Sequence, residues 1–468
     1  MYDSCGVFGI YSKELNVDVA TQAYLALFAL QHRGQESCGI AVCNEGVMHH
    51  HSDLGLVPDV FGRETLLKLG KGNMALGHVR YAPMDQKSRI NAQPLVVRHI
   101  KGAMAIAHNG SITNAHALRE KLQREGTVFH TTSDTEIIIN IITKKRISTN
   151  TIEDAISEAL KEIEGAFSLV IMSPSKLIAV RDPYGFRPLC MGSLGNDTVF
   201  ASESCALDSI GAEFTRDIEP GEIVVVNKEG IKSNKTHCGK KNGMCVFEYI
   251  YFARPDSVIQ GSCVHSARVN AGMFLAKEHP VDADVVMGVP DSGLDAALGY
   301  SRESRIPYEV GFIKNRYIGR TFIQPTQEER DRAVRIKLNT IKMSIKQKRV
   351  ILIDDSIVRG TTMRRIVKLV RETGAREVHL RISSPPFVNP CYFGTDIDSR
   401  ENLIACKMST QEICKFLGAD SLGYLSVENV QKIAHNATCD FCYGCFTGLY
   451  PVPEPVIEKD KYNYKIGE

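Results

Sequence analysis

The stretch Val350-Ile-Leu-Ile-Asp-Asp-Ser-Ile-Val-Arg-Gly-Thr-Thr362 decides the fold of the second half of the chain. Its apolar run, Val350 to Ile353, predicts a buried parallel strand. Two adjacent acids, Asp354 and Asp355, follow. Then comes a turn, Arg359-Gly360-Thr361-Thr362, and a helix with Met363, Ile366, Val367 and Val370 on one face. A loop of this kind at a helix N-terminus offers unpaired backbone N–H groups and hydroxyls to a phosphate. Gly360 lets the backbone come close to such a ligand. The two carboxylates do not favour phosphate themselves, but they can hold the 2- and 3-hydroxyls of a ribose with Mg²⁺ nearby. The plain alternative is an ordinary βα turn.

Working outward, Asp284–Val289 and Val378–Ser383 also read as strands, with helical stretches between, which implies a mostly parallel sheet. Ligands bind beyond the carboxyl ends of such strands. Val289-Pro-Asp-Ser-Gly293 there is a tight turn fit to cradle pyrophosphate, or simply a turn. The segment from Phe312 to Leu338 carries Lys314, Arg316, Arg320, Arg330, Arg332, Arg335 and Lys337 with few apolar anchors. It suits a lid closing on a polyphosphate, or a solvated loop. The basic run Lys342 to Arg349 reads as a solvated helix end. Strand, acid pair and phosphate loop together resemble the phosphoribosyl pyrophosphate (PRPP) motif of type I phosphoribosyltransferases. The resemblance implies PRPP contacts from Asp291, Ser292, Gly293, Asp354, Asp355 and Arg359, with Gly360, Thr361 and Thr362 on the 5-phosphate. It implies Mg²⁺ held by Ser292, Asp354 and Asp355.

At the other end, Met1-Tyr-Asp-Ser-Cys5-Gly-Val-Phe-Gly-Ile10 places a cysteine before an apolar run. Alone it reads as a buried structural thiol. Leu30-Gln-His-Arg-Gly-Gln-Glu36, Gly77-His-Val-Arg-Tyr81, His108-Asn-Gly-Ser111 and Thr132-Ser-Asp-Thr135 follow in that order. The set resembles the glutamine amidotransferase domain of the N-terminal-nucleophile class, whose cysteine is residue one of the mature chain. Removing Met1 alone would leave Tyr2 at the end, so the resemblance implies cleavage between Ser4 and Cys5. The chemistry fits. A free thiol with a pKa of about 8.5 needs a base at neutral pH. A freed α-amino group, with a pKa of about 7.7–8.0, is a good one. By the same resemblance, Asn109 and Gly110 form the oxyanion hole, Arg80 holds the glutamine α-carboxylate, and Asp134 holds its α-amino group.

The chain has 14 cysteines, unevenly placed. Cys439, Cys442 and Cys445 crowd the C-terminal part, Cys245 opens the second half, and Cys391 lies in Pro-Pro-Phe-Val-Asn-Pro-Cys391. A Cys-x-x-Cys fits zinc, iron–sulfur or redox use. All three places resemble the iron–sulfur branch of the glutamine PRPP amidotransferases. That resemblance implies a [4Fe–4S] cluster on Cys245, Cys391, Cys442 and Cys445, with Cys439 as an extra cysteine. A structural zinc on four cysteines is the alternative.

The 468 residues allow two or three domains. Residues up to about 235 hold short strands punctuated by Gly and Asn, with helices over Asp18–His32 and from Thr151 on. They alternate like the stacked antiparallel sheets of an αββα fold. The division expected is a leader at 1–4, an Ntn-hydrolase glutaminase domain at 5–235, and a phosphoribosyltransferase domain at 236–468. The net charge of +2 gives no case for a nucleic-acid binder. No apolar run approaches a membrane span, and no signal peptide stands out, so a cytoplasmic location is expected. His49 to His51 read as an exposed turn. The whole resemblance implies an enzyme that moves glutamine-derived NH₃ to C1 of PRPP, opens purine synthesis, answers to purine nucleotides and forms a homotetramer. Two rivals are an amidotransferase feeding a sugar phosphate, which the acid pair argues against, and a purine-sensing repressor, for which no DNA-binding module stands out.

Overall fold

The computed structural model describes residues 5–81, 88–241, 243–315, 338–395, 397 and 399–452. The leader expected at 1–4 lies outside the described residues, as do Arg316, Arg320, Arg330, Arg332, Arg335 and Lys337 of the expected lid.

The strand Gly6–Tyr11 is buried throughout and runs antiparallel between Met74–Arg80 and Asp197–Ala201 in a seven-stranded sheet. Its side chains alternate, as a pleated strand requires. Phe8 and Ile10 face one core with Ala23 and Leu27 of the helix Val19–Ala29. Val7 and Tyr11 face a second core with Ala105, Ala107, Val170 and Ala179 of a six-stranded sheet. The outer face of that second sheet is covered by helices Asp134–Ser148 and Ile152–Ala159. This is the expected αββα sandwich. Its six-stranded sheet ends at the strand Gly230–Asn234.

His49 to His51 do not form a turn. They belong to the edge strand Val47–Leu54, paired through Val42–His49, Ala41–His50 and Ile40–His51. The turn falls earlier, at Glu45 and Gly46, both with positive φ. An edge strand has a solvated side, so polar imidazoles cost it little.

The second unit is a four-stranded parallel sheet in the order Val285–Gly288, Arg349–Asp354, Glu377–Ile382, Ser421–Tyr424. Val350 and Leu352 face Met363, Ile366, Val367 and Val370 of the helix Thr361–Glu372. Ile351 and Ile353 face the other side, with Ala271 and Ala297 of helices Val264–Glu278 and Gly293–Ser304. The basic run becomes the short helix Lys342–Ile345 ahead of the acid-bearing strand. Strands Phe312–Lys314 and Leu338–Thr340 pair antiparallel, which ties together both ends of the basic segment. Among the described residues no helix is long and apolar enough to cross a membrane.

Candidate active sites and a four-cysteine cavity

Cys5 stands at the head of the inner strand. Its Sγ lies 3.9 Å from the Tyr81 carbonyl oxygen, and its own carbonyl accepts a hydrogen bond from Arg33 Nε at 3.1 Å. Burial pushes the thiol up, the contact at Tyr81 and the charges of Arg80 and Arg33 pull it down, and Asp134 pushes it up again. Arg80 and Asp134 therefore both lie within electrostatic reach of the sulfur. Arg80 ends its strand opposite Ser37 and is buried. Asp134 begins a helix, where a negative charge is favoured. Its Oδ2 accepts from Ile112 N at 3.1 Å, and its Oδ1 lies 3.5 Å from His108 Nδ1.

Asn109 and Gly110 sit near the end of the strand Gly102–Ile112, paired with Ser168 and Phe167. Asn109 is 0% exposed, yet neither its Oδ1 nor its Nδ2 has a hydrogen-bond partner among the described residues. A buried amide left unpaired costs about 1–3 kcal/mol per group, so this one is poised for a ligand. Gly110 has φ +144°, and a Cβ there would lie 2.1 Å from the Ala166 carbonyl oxygen. Only glycine fits. The sandwich thus holds a thiol on which Arg80 and Asp134 both act, and an unpartnered buried amide at Asn109.

The second site gathers at the carboxyl ends of the parallel strands. Val289 N donates to the Ile353 carbonyl at 2.8 Å and Gly293 N to the Val289 carbonyl at 3.0 Å, which folds the pyrophosphate-type turn over the acid pair. The hydroxyls of Ser292 and Ser356 donate to the two oxygens of Asp355. Asp355 N donates to Asp354 Oδ1 at 2.9 Å. Burial, then the charge of Asp355, pushes Asp354 well above the usual carboxylate range. Such a pair favours a cation. Two carboxylates and a hydroxyl form an all-oxygen donor set, and so few protein ligands suit Mg²⁺, which keeps waters and substrate oxygens. Gly360 takes φ +77° at the N-cap of the next helix, which has no side-chain cap. Its first-turn N–H groups and the exposed Thr361 and Thr362 are left for an anion. Arg359 is exposed beside them. Lys314, at the base of the basic segment, pairs with Asp291.

Cys245, Cys391, Cys442 and Cys445 line one cavity, walled by Phe186, Phe247, Phe387, Phe393 and Tyr450. Cys245 pairs in parallel register with Cys442. Cys391 Sγ accepts from Phe393 N at 3.4 Å. Burial pushes the Cys245 thiol up to about 12 and also raises Cys442 and Cys445. Thiolates therefore need a cationic partner here. Sulfur donors in a dry pocket select zinc or an iron–sulfur cluster. Among the described residues no group of three or more His, Cys, Asp or Glu side chains is arranged as a metal-ion site. The Cys245, Cys391, Cys442 and Cys445 thiols are close enough to raise one another electrostatically. Cys439 does not line the cavity; its Sγ rests 3.9 Å from Met244 Sδ.

Arg80 and Asp134 act on the Cys5 thiol, Ser292 meets Asp355 beside Asp354, and four of the cysteines share one cavity. Reading the sequence missed the buried ion network behind Cys5. Arg33 donates to Glu203 at 2.5 Å and grips Glu248 with two bonds, at 2.9 and 3.0 Å. Glu248 also accepts from Arg187 at 3.0 Å. Arg33 lies in the quoted stretch Leu30 to Glu36, but nothing local links it to Glu203, Glu248 or Arg187.

Residues 78–209 match the family model for a glutamine amidotransferase domain, and residues 265–383 match that for a phosphoribosyl transferase domain. A relative from Methanocaldococcus jannaschii named amidophosphoribosyltransferase is 48% identical over 462 residues, covering 96% of this chain and 97% of its own. One of the same name from Bacillus subtilis is 46% identical over 454 residues, covering 96% and 94%. A solved structure described as the allosteric regulatory enzyme of purine biosynthesis is 45% identical, with a TM-score of 0.92 over 99% of this chain and 100% of its own. The glutamine PRPP amidotransferase from B. subtilis, solved with ADP and GMP, is 46% identical with a TM-score of 0.89, covering 96% and 98%.

Proposed function

The chain belongs to the amidophosphoribosyltransferase family, which makes it a glutamine-dependent phosphoribosyltransferase of the first step of purine synthesis, and from that premise we propose how its residues divide the work. Cys5, freed of its leader, adds to the glutamine amide carbon while its own α-amino group takes the thiol proton. Asn109 Nδ2 and Gly110 N–H hold the oxyanion, Arg80 the α-carboxylate and Asp134 the α-amino group. Collapse breaks the C–N bond while the α-ammonium passes that proton to the leaving nitrogen, which departs as NH₃. Water then cleaves the thioester to glutamate. The NH₃ passes inside the protein and attacks C1 of PRPP. Pyrophosphate leaves with the bonding pair, and 5-phosphoribosylamine remains. Ser292, Asp354 and Asp355 would hold Mg²⁺, which neutralises pyrophosphate charge when bound. Asp291 and Gly293 line the pyrophosphate turn, and Arg359, Gly360, Thr361 and Thr362 hold the 5-phosphate.

The observation that carries this reading is the orphaned Asn109 amide, together with a half-buried Cys5 thiol on which Arg80 and Asp134 both act. Equimolar glutamate and pyrophosphate from glutamine plus PRPP test it. Glutamate with no pyrophosphate would mean a different acceptor. Asn109→Ala should lower glutamine-dependent kcat by about 10²–10³-fold, the usual effect of losing one oxyanion donor. A change below tenfold would place the hole elsewhere.

Feedback follows from the same phosphate loop. A purine nucleoside monophosphate carries the ribose 5-phosphate that Asp354 to Thr362 recognise. The B. subtilis neighbour was solved with ADP and GMP. GMP or AMP should raise the apparent KM for PRPP. Inhibition indifferent to PRPP concentration would contradict a shared site.

The four-cysteine cavity is read as the seat of a [4Fe–4S] cluster, whose role is structural because amide transfer moves no electrons. Its ligands come from distant segments, so binding is also folding energy. Anaerobic protein should carry about four iron and four labile sulfide per chain. Cys245→Ser and Cys442→Ser should fail to accumulate, whereas Cys439→Ser should be tolerated. Stoichiometric zinc without sulfide would refute this assignment and leave the transferase intact. Every described cysteine is free, which suits a cytoplasmic, reducing setting. The assembly proposed is a homotetramer, to be read from native mass.

A further inference from the structure

Arg187 touches both the four-cysteine cavity and the network behind the nucleophile. Its side chain is 1% exposed. Nη1 donates to Glu248 at 3.0 Å, and Nη2 donates to the Phe393 carbonyl at 3.0 Å and to Thr395 Oγ1 at 3.4 Å. Its Nε has no hydrogen-bond partner among the described residues. Phe393 and Thr395 belong to the loop that carries Cys391 and line the cavity with it.

On its far side, Glu248 is held by both terminal nitrogens of Arg33, whose Nε donates to the Cys5 carbonyl at 3.1 Å. Arg33, Glu203 and Glu248 are all 0% exposed in their side chains. Two cations and two anions balance, which is what such burial demands. A second contact closes the loop. A Cβ on Gly394 would lie 3.2 Å from Arg187 Nη2 and 3.3 Å from the carbonyl carbon of Gly110. The Cys391 loop therefore leans on the oxyanion strand and, through Arg187, on the nucleophile.

We propose that Arg187 is a positioning residue for the glutamine half-reaction, transmitting the placement of the Cys391 loop through Glu248 and Arg33 to the Cys5 carbonyl. The proposal rests on Cys5 being the nucleophile. It assigns to the cysteine cavity an influence on glutamine chemistry that does not pass through the PRPP site. Lysine at this position keeps the charge but lacks the fork that spans Glu248 and the Phe393 carbonyl.

The test uses the full-length holoenzyme and a glutamine-analogue diazoketone that alkylates the nucleophile, with the labelled peptide identified by mass. Arg187→Lys should slow labelling of Cys5 at least tenfold and lower glutamine-dependent kcat in parallel. Ammonia-dependent turnover should stay within twofold of the parent. Glu248→Gln should behave alike and serves where Arg187→Lys does not fold. The double variant should be no worse than the poorer single one, since linked residues are not additive. Labelling at the parental rate in a folded variant overturns the proposal. So does an equal loss of labelling and ammonia-dependent turnover, which a scaffold role would give. A parent whose Cys5 does not react overturns the nucleophile assignment together with the proposal.

Discussion

Replacing Cys5 with alanine will abolish glutamine-dependent synthesis of 5-phosphoribosylamine while leaving the reaction with concentrated ammonium salts at alkaline pH. The loss should reach about 10⁴-fold or more, the scale for deleting the nucleophile of a covalent mechanism. The reason is the division of the molecule. Cys5, Asn109, Gly110, Arg80 and Asp134 belong to the αββα sandwich, and the acid pair belongs to the parallel sheet. Ammonia supplied from outside needs only the second. Steady-state assays of pyrophosphate release with each nitrogen source read both rates. Loss of the ammonia reaction in a folded Cys5→Ala protein would overturn the two-site account.

The complementary substitution acts on the other site. Asp354→Asn together with Asp355→Asn should remove turnover with both nitrogen sources. Each carboxylate makes charge-assisted contacts worth about 1.5–3 kcal/mol. Losing both corresponds to about 10²–10⁴-fold in kcat/KM for PRPP. The fold should survive, because the substitution relieves a buried like-charge pair in which Asp354 is already pushed up by burial and by Asp355. Glutamine hydrolysis at Cys5 should continue, uncoupled from PRPP. Retention of pyrophosphate release in the double variant would show that the acids do not hold the substrate.

What the sequence made legible was whatever is local. The run Val350 to Thr362 contains its strand, acids, glycine and helix start in order, and all appear where that order places them. Gly110 was readable as a motif residue, although its necessity comes from the Ala166 carbonyl opposite it. The four cavity cysteines came from resemblance at three separate places, and only folding shows Cys439 turned away from them. The pairings of the ion network were invisible for a physical reason. Arg33 and Glu248 are 215 positions apart and Arg187 and Glu248 are 61, and a charged residue usually reads as surface. His49 to His51 misled because polarity marks exposure, which an edge strand supplies as readily as a turn.

The central claim is that nitrogen released at Cys5 reaches PRPP without leaving the protein. Free ammonia in bulk water would be protonated and diluted, and an enclosed route avoids both. The most direct test is turnover with amide-¹⁵N glutamine and PRPP in excess unlabelled ammonium at neutral pH, reading the isotope in 5-phosphoribosylamine trapped as it forms. The account predicts product labelled nearly in full. Label diluted to the composition of the bulk ammonium pool would contradict it.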